Sequence, residues 1–497
     1  MNAHFRTANM QRSFLLNLAL LLVLNLLVKP FYILGIDAGV QDAVGSAGYG
    51  TYAALLSLSF LLNIVLDLGM TSHNTRNVAQ YTHLMGKTLG NVLGVRVLLV
   101  GLYALITLGA GLFLGYSGAQ LGILSLMVLN QALVATILYL RSNIAGAQRF
   151  KQDSLLSILD RLLLIGIVGW LLWGRNTGEQ FRIEWFVWAQ TAAYGATALV
   201  ALVLVLRLSG KVNVGWRPAF AWVVVKQSFP YALLILLMTF YYRTDTLMIE
   251  RMLPDGPMQA GIYAQAFRFF EALNMLGYLM AGLLLPMFSR MLMGPKGEGN
   301  KAIQELAVLA MRLVLTGTLA IAVFGVLFAE PIMDLRYSEH TEQSAPVFAL
   351  LIGCFVAVCT TYVFGTLLTA GGKLKHLNWM AAGGAILNIS LNLILIPRWQ
   401  AEGAALASLV TQVATAIVQL VLAGLLFGAR LPLGLWVRSA VYAICLFALG
   451  FWLGSGVTGL LMQFGLFAAG AVVLAWSTGM LGPQVLRAAI ALTPKGG

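Results

Sequence analysis

Apolar runs of about twenty residues, separated by short polar breaks, recur along the whole chain. A run of that length forms a helix able to span the ~30 Å hydrocarbon core of a bilayer. The pattern predicts helices at 13–35, 49–70, 89–115, 120–141, 154–173, 185–206, 227–249, 260–289, 304–328, 345–370, 376–397, 403–428, 435–453 and 458–482. The expected fold class is therefore an all-α polytopic membrane protein of about fourteen transmembrane helices. The longest outward break, roughly 329–344, is too short to hold a domain. Any function has to be built within the helices. Arg6 and Arg12 precede the first run as in a secretion signal, but the run continues through Lys29-Pro30 to Gly35 with no small-residue cleavage site. It is expected to remain as an uncleaved first helix.

Loop charges test the count. With the N-terminus in the cytoplasm, the inward segments carry twenty of the 31 Lys and Arg residues, from Arg6 and Arg12 through Arg76, Arg141 and Lys226 to Arg487 and Lys495. The outward segments carry only Arg175, Arg182, Arg251, Arg336 and Arg398, and collect acids such as Asp37, Asp42, Glu250 and Glu402. This is the positive-inside bias, and one missed or invented helix would invert every later loop. Both termini are expected in the cytoplasm, and the membrane is expected to be the inner, cytoplasmic one.

Composition agrees. Hydrophobic residues make up 60% and charged residues 10%, against about 25% charged in soluble domains. Too little polar surface exists to cover a water-soluble globule. The net charge of +13 does not point to nucleic acid, because the basic residues lie in short loops rather than on one patch. Cys354, Cys359 and Cys445 all fall inside apolar runs without metal-ligand spacing, so neither a disulfide nor a metal is expected.

The chain also repeats itself weakly. Gln11-Arg12-Ser13-Phe14 opens the first helix and Lys226-Gln227-Ser228-Phe229 the seventh. Gly50-Thr51-Tyr52-Ala53 starts the second and Gly261-Ile262-Tyr263-Ala264 the eighth. Ala145-Gly146 and Ala370-Gly371 end the fourth and tenth. Six helices separate the partners, so the copies share one orientation. This predicts two parallel six-helix lobes, 1–215 and 216–430, around a central cavity near the midplane. Residues 431–497 add two further helices and a cytoplasmic tail.

Four groups of residues resemble the polysaccharide-exporter and oligosaccharide-flippase family (Wzx-type), part of the larger group that includes MATE drug exporters and the lipid II flippase. The first is Gly50-Thr51-Tyr52 leading to Asp67-Leu68-Gly69-Met70 and Arg76. The second is Pro230 with Arg243-Thr244-Asp245-Thr246-Leu247-Met248. The third is Gly261-Ile262-Tyr263 with Arg268, Glu271 and Pro286. The last is Asn388, Asn392 and Ile396-Pro397, then Glu402-Gly403-Ala404-Ala405. The likeness covers roughly residues 10–430. It implies a flippase that carries an isoprenoid-diphosphate-linked oligosaccharide from the inner to the outer leaflet by alternating access, for surface polysaccharide assembly. It implies no enzymatic activity and no cofactor beyond a coupling H+ or Na+. Expected partners are the lipid-linked sugar, membrane lipids, a polysaccharide polymerase and glycosyltransferases.

Ionisable side chains within the apolar runs cost ~2.5–3.5 kcal/mol each at the bilayer centre, so each is a functional candidate. Arg96 and Arg312 lie within about two turns of a cytoplasmic end, where a long side chain reaches the interface. Asp67, Asp160 and Arg161 lie similarly shallow and, with Arg76 of the inward loop that follows, are candidates for a gate or for coupling, with Asp67 able to pair with Arg76 or Arg96. Lys29, Arg243, Asp245, Arg268 and Glu271 lie deeper. At a 1.5 Å rise Arg243 is about 24 Å along its helix, and Arg268 and Glu271 are about 12–17 Å along theirs. The spacing of three puts Arg268 and Glu271 on one face, able to pair. Arginine offers phosphate oxygens a planar fork of donors. Arg243, Arg268 and Lys29 are thus candidate anion ligands, and Asp245 and Glu271 candidate orienting or ion-coupling acids.

Three other readings compete. A MATE-like ion-coupled exporter of small cations calls for an acidic cavity, whereas the deep cluster is net basic. A lipid II flippase shares the two extra helices and the basic cavity. A membrane glycosyltransferase or polymerase calls for a large outward loop with catalytic acids, and Asp37 and Asp42 sit in a short one.

Overall fold

A computed structural model describes residues 24–68, 70–71, 74, 78, 85–147, 149–174, 180–209, 218–292, 298–456, 459–483 and 485. Arg76 and the opening turns of the first predicted helix lie outside them. The described residues form helices and connecting turns, without a strand. Twelve of the helices are long and apolar enough to cross a membrane.

In chain order these are α1 (Leu24–Leu66), α2 (Met85–Phe113), α3 (Gly118–Gly146), α4 (Phe150–Gly169), α5 (Ile183–Ser209), α6 (Pro218–Met252), α7 (Gly256–Leu292) and α8 (Glu298–Leu327). After the short α9 (Ala329–Arg336) come α10 (Thr341–Ala370), α11 (Leu374–Phe427), α12 (Leu433–Gly456) and α13 (Leu460–Ser477). The short α9 occupies the segment expected as the largest outward loop.

Two helices are far longer than a bilayer needs. α1 has 43 residues and α11 has 54, which at 1.5 Å each is ~65 and ~80 Å. Each holds one residue with non-helical backbone: Gly45 at φ 75° in α1, and Gln400 at φ 50° in α11. Pro397 precedes the second break and removes a helical donor there. The sequence pattern divides each of α1 and α11 into two helices, where the described residues form one long broken helix in each place.

Local chemistry sets the helix ends. Between α2 and α3 the chain turns within four residues, with Gly115 and Gly118 at φ 81° and 50°. Ser117 and Gln120 then form a reciprocal capping box that starts α3. α11 ends on Gly428 at φ 69°, whose N–H donates to the Gly424 carbonyl at 3.2 Å. The large apolar residues that face outward include Phe113 (90% exposed) and Leu461 (81%). Exposed apolar surface on this scale is what a helix presents to lipid rather than water.

The chain divides into two compact units. One comprises Met1–Arg251 with Asp255–Gly261, the other Met252–Pro254 with Ile262–Gly497. In the first, Met70, Leu89, Val92, Tyr139, Leu140 and Ile144 build one core cluster, and Leu66, Tyr103, Val128 and Ala132 a second. In the other, α10 packs on α11 and α8, while α12 packs on α8 and α13. Tyr442 of α12 ties this last group together by donating to the carbonyls of Thr316 and Ala471, each at 3.3 Å.

Candidate functional site

Three clusters of polar and charged residues lie inside the first unit. The largest surrounds Arg161 on α4. Its guanidinium lies 4.7 Å from the Tyr32 ring centre and 5.8 Å from that of Tyr194. Nη1 donates to the Tyr194 hydroxyl at 3.1 Å, and Nε lies 3.8 Å from Asp160 Oδ2. The other Asp160 oxygen accepts the Arg161 backbone N–H at 2.9 Å. Lys29 on α1 has Arg161, Asp160 and Arg141 as its charged neighbours. The cluster therefore brings together one expected anion ligand, Lys29, and the expected gate pair Asp160 and Arg161.

The α1 backbone explains why so many polar groups meet here. Tyr32–Asp37 is a π-turn, which adds a residue to the turn and shifts side chains from the helical stripe they would otherwise follow. It buries Tyr32 and Asp37 together. Asp37 accepts the Tyr49 hydroxyl at 2.8 Å, and Gln190 donates to the Tyr52 hydroxyl at 2.9 Å. Asp37 is 4% exposed, so it is a core group rather than the outward-loop acid expected from the sequence.

At the opposite end of α1, Asp67 meets Arg96 of α2 at 2.7 Å. Arg96 is buried. It also donates to the Ala135 carbonyl at 2.7 Å and to the Thr71 hydroxyl at 3.1 Å, and it covers the Tyr139 ring at 4.5 Å. Thr71 in turn donates to Asp67 through its hydroxyl and backbone N–H. Of the two partners expected for Asp67, Arg96 is found. Arg76 is outside the described residues.

The third cluster, at the end of α6, is not among the candidates read from the sequence. Glu250, buried at 7% exposure, pairs with Arg251 at 2.9 Å and accepts the Tyr116 hydroxyl at 3.0 Å. The Arg251 guanidinium lies 3.5 Å from the Tyr116 ring centre. Burial and the nearby Glu250 carboxylate push the Tyr116 phenol well above its usual range, so it keeps the proton it donates. Farther back on α6, Arg243 is half-buried with its guanidinium 4.6 Å from the Phe60 ring centre, and Asp245 is 1% exposed.

In the second unit, Arg268 and Glu271 of α7 form the expected pair, at 2.6 Å. The Arg268 side chain is 8% exposed and that of Glu271 28%. Phe269 packs edge-on to Phe348 and Tyr337, which makes it a packing residue. A buried arginine paired with a partly open carboxylate can exchange that carboxylate for a phosphate. Among the described residues, no group of three or more His, Cys, Asp or Glu gathers as metal ligands would.

Residues 15–292 match the family described as polysaccharide biosynthesis protein. The chain belongs to that family. None of the curated proteins matches it in sequence. Among solved structures it is similar to the lipid II flippase MurJ in an inward closed conformation, at 13% identity and a TM-score of 0.65, covering 90% of this chain and 97% of that one. It is also similar to the Vibrio cholerae MATE transporter VcmN, at 16% identity and 0.58, covering 84% and 96%. A third is a MOP-superfamily transporter from Pyrococcus furiosus with a binding pocket of reverse polarity, at 13% and 0.54, covering 83% and 93%. At these identities the likeness establishes the fold alone, a multi-pass helical bundle.

Proposed function

We propose that this protein flips an isoprenoid-diphosphate-linked oligosaccharide across the cytoplasmic membrane, from the inner to the outer leaflet, for surface polysaccharide assembly. The reading is carried by Arg268, a buried guanidinium paired with the partly exposed Glu271 carboxylate in the middle of an apolar helix, in a chain of the polysaccharide biosynthesis family. Such a group is costly in a membrane and is retained where an anion passes. Arg243 and Lys29 are the further diphosphate ligands. Glu271 and Asp245 hold the cations when the site is empty, and either acid can carry a coupling H+ or Na+. The two six-helix lobes, 1–215 and 216–430, alternate access, with the Asp67–Arg96 pair and Arg76 acting at the cytoplasmic side. Asp160 and Arg161 support Lys29. Both termini lie in the cytoplasm, and glycosyltransferases and a polymerase act before and after the flip.

A lipid II flippase on the same fold is the second reading, favoured by the MurJ likeness. A host strain lacking the protein decides between them. Loss of surface polysaccharide with intact viability, restored by the wild-type chain and not by Arg268→Ala at equal membrane abundance, supports the proposal. Loss of viability on deletion supports the lipid II reading. Full rescue by Arg268→Ala contradicts the assigned role.

A further inference from the structure

A cleft of about 410 Å³ opens along α8 in the second unit, well away in sequence from the deep charges. Lys301 stands at one end of its α8 wall and Arg312 at the other, with Val308 and Leu309 between them and Pro432 and Val485 across. Eleven residues of helix separate the two cations, about 16 Å. Arg312 makes no ion pair among the described residues, and its Nε is buried without a hydrogen-bond partner. Its charged neighbour is another cation, Arg438 of α12. The one acid lining the cleft, Glu305, sits two turns from Arg312, about 10 Å along the helix axis. Arg438 is exposed and stands outside the cleft lining, so it adds positive charge nearby without balancing Arg312. A buried N–H left without an acceptor is costly, and an anion with several acceptor oxygens removes that cost.

We infer that this cleft binds the phosphate headgroup of an anionic membrane lipid. Arg312 donates to the phosphate oxygens, and Lys301 meets the headgroup at the rim. Lipid rather than soluble phosphate is indicated by the walls. Val308, Leu309, Pro432 and Val485 are apolar, and a second cleft of about 260 Å³ lies beside the same α11–α12 connection, lined by Leu420, Val421, Leu425 and Trp436. On α12, Leu433, Trp436 and Val437 are 77%, 43% and 54% exposed, which provides a surface for acyl chains. The basic loop charges assign this end of the helices to the cytoplasmic leaflet, where basic pockets between helices hold anionic headgroups. The site also accounts for the two helices beyond the paired lobes. Pro432, just before α12, and Val485, beyond α13, line it.

The test is native mass spectrometry of the purified full chain, titrated in parallel with phosphatidylglycerol, phosphatidylcholine, undecaprenyl diphosphate and inorganic phosphate. Retention of phosphatidylglycerol over phosphatidylcholine by more than about fivefold is expected. Losing a charge-assisted bond in Arg312→Gln should weaken retention by roughly tenfold. Lys301→Gln, which also lines the cleft, provides the same reading should Arg312→Gln fail to fold, and Arg398→Gln, outside the cleft, should retain phosphatidylglycerol like the wild type. Displacement of phosphatidylglycerol by undecaprenyl diphosphate supports the site and identifies the carrier lipid as its occupant. Equal retention of phosphatidylglycerol and phosphatidylcholine, unchanged retention in both cleft variants, or occupancy by inorganic phosphate as strong as by lipid overturns it.

Discussion

Adding one methyl group at Gly50 is expected to damage the protein out of proportion to its size. A Cβ there would lie 1.8 Å from the Pro257 carbonyl oxygen and 2.6 Å from the Gly261 backbone nitrogen. The reciprocal Cβ at Gly261 would lie 2.0 Å from the Ser46 carbonyl oxygen. The second half of α1 and the first turn of α7 therefore cross backbone to backbone, and Gln41 fastens the crossing by donating to the Gly261 carbonyl at 2.8 Å. The intruded atoms belong to backbone, so no rotamer change relieves the overlap. Bringing the closest contact to even 3.0 Å requires a withdrawal of about 1.2 Å, which breaks the Gln41 bond and loosens both helices. Overpacking of this kind costs about 1–3 kcal/mol, and the rigid partner places Gly50→Ala near the upper end. Losing the buried hydrogen bond adds about 1 kcal/mol. The assay is thermal unfolding in detergent, with Gly48→Ala as the control, since a Cβ at Gly48 meets only Val44 side-chain atoms at 3.7 Å. Gly50→Ala should melt lower by about 5–10 °C, and Gly48→Ala should match the wild type. Equal melting of both variants would show that the crossing has room for a side chain at Gly50.

Two further substitutions test the clusters of the first unit. Arg96→Ala leaves Asp67, Thr71 and the Ala135 carbonyl without their shared donor, and should cost about 3 kcal/mol as a broken buried pair. Asp67→Asn should cost less because its side chain is 32% exposed, and thermal unfolding of the two variants checks the order. At the end of α6, Tyr116→Phe removes a single hydrogen bond to Glu250 and should lower stability by about 1 kcal/mol, whereas Glu250→Ala leaves Arg251 without its partner and should lower it further. Equal losses in the second pair would contradict the assignment of Glu250 as the hub.

How much of this is legible in the sequence follows from how local each feature is. The helices and their approximate ends are readable because a bilayer imposes one length on every apolar run. The Arg268–Glu271 pair is readable because a spacing of three fixes its geometry within one helix. Asp37 and Glu250 read as exposed loop acids and are buried instead. Each sits at the polar end of an apolar run, and only the π-turn of α1 and the long-range partners Tyr49 and Tyr116 show that the chain stays helical and buried there. The sandwich of Arg161 between Tyr32 and Tyr194 joins three helices, so no local spacing announces it. Gly50 and Gly261 form an intermediate case. They stand out in the sequence as equivalent marks of a repeat, but that the two glycines meet each other is visible only in three dimensions.

The transport role proposed for the buried Arg268 and the half-buried Arg243 is measured by flipping of a fluorescent undecaprenyl-diphosphate oligosaccharide in proteoliposomes, read by loss of the label to an impermeant quencher. Wild-type protein should flip the lipid, and Arg243→Ala and Arg268→Ala should each lower the rate more than about tenfold at unchanged reconstitution, as expected for losing a charge-assisted contact to phosphate. A wild-type rate no greater than that of empty liposomes, or wild-type rates in both variants, would contradict that role.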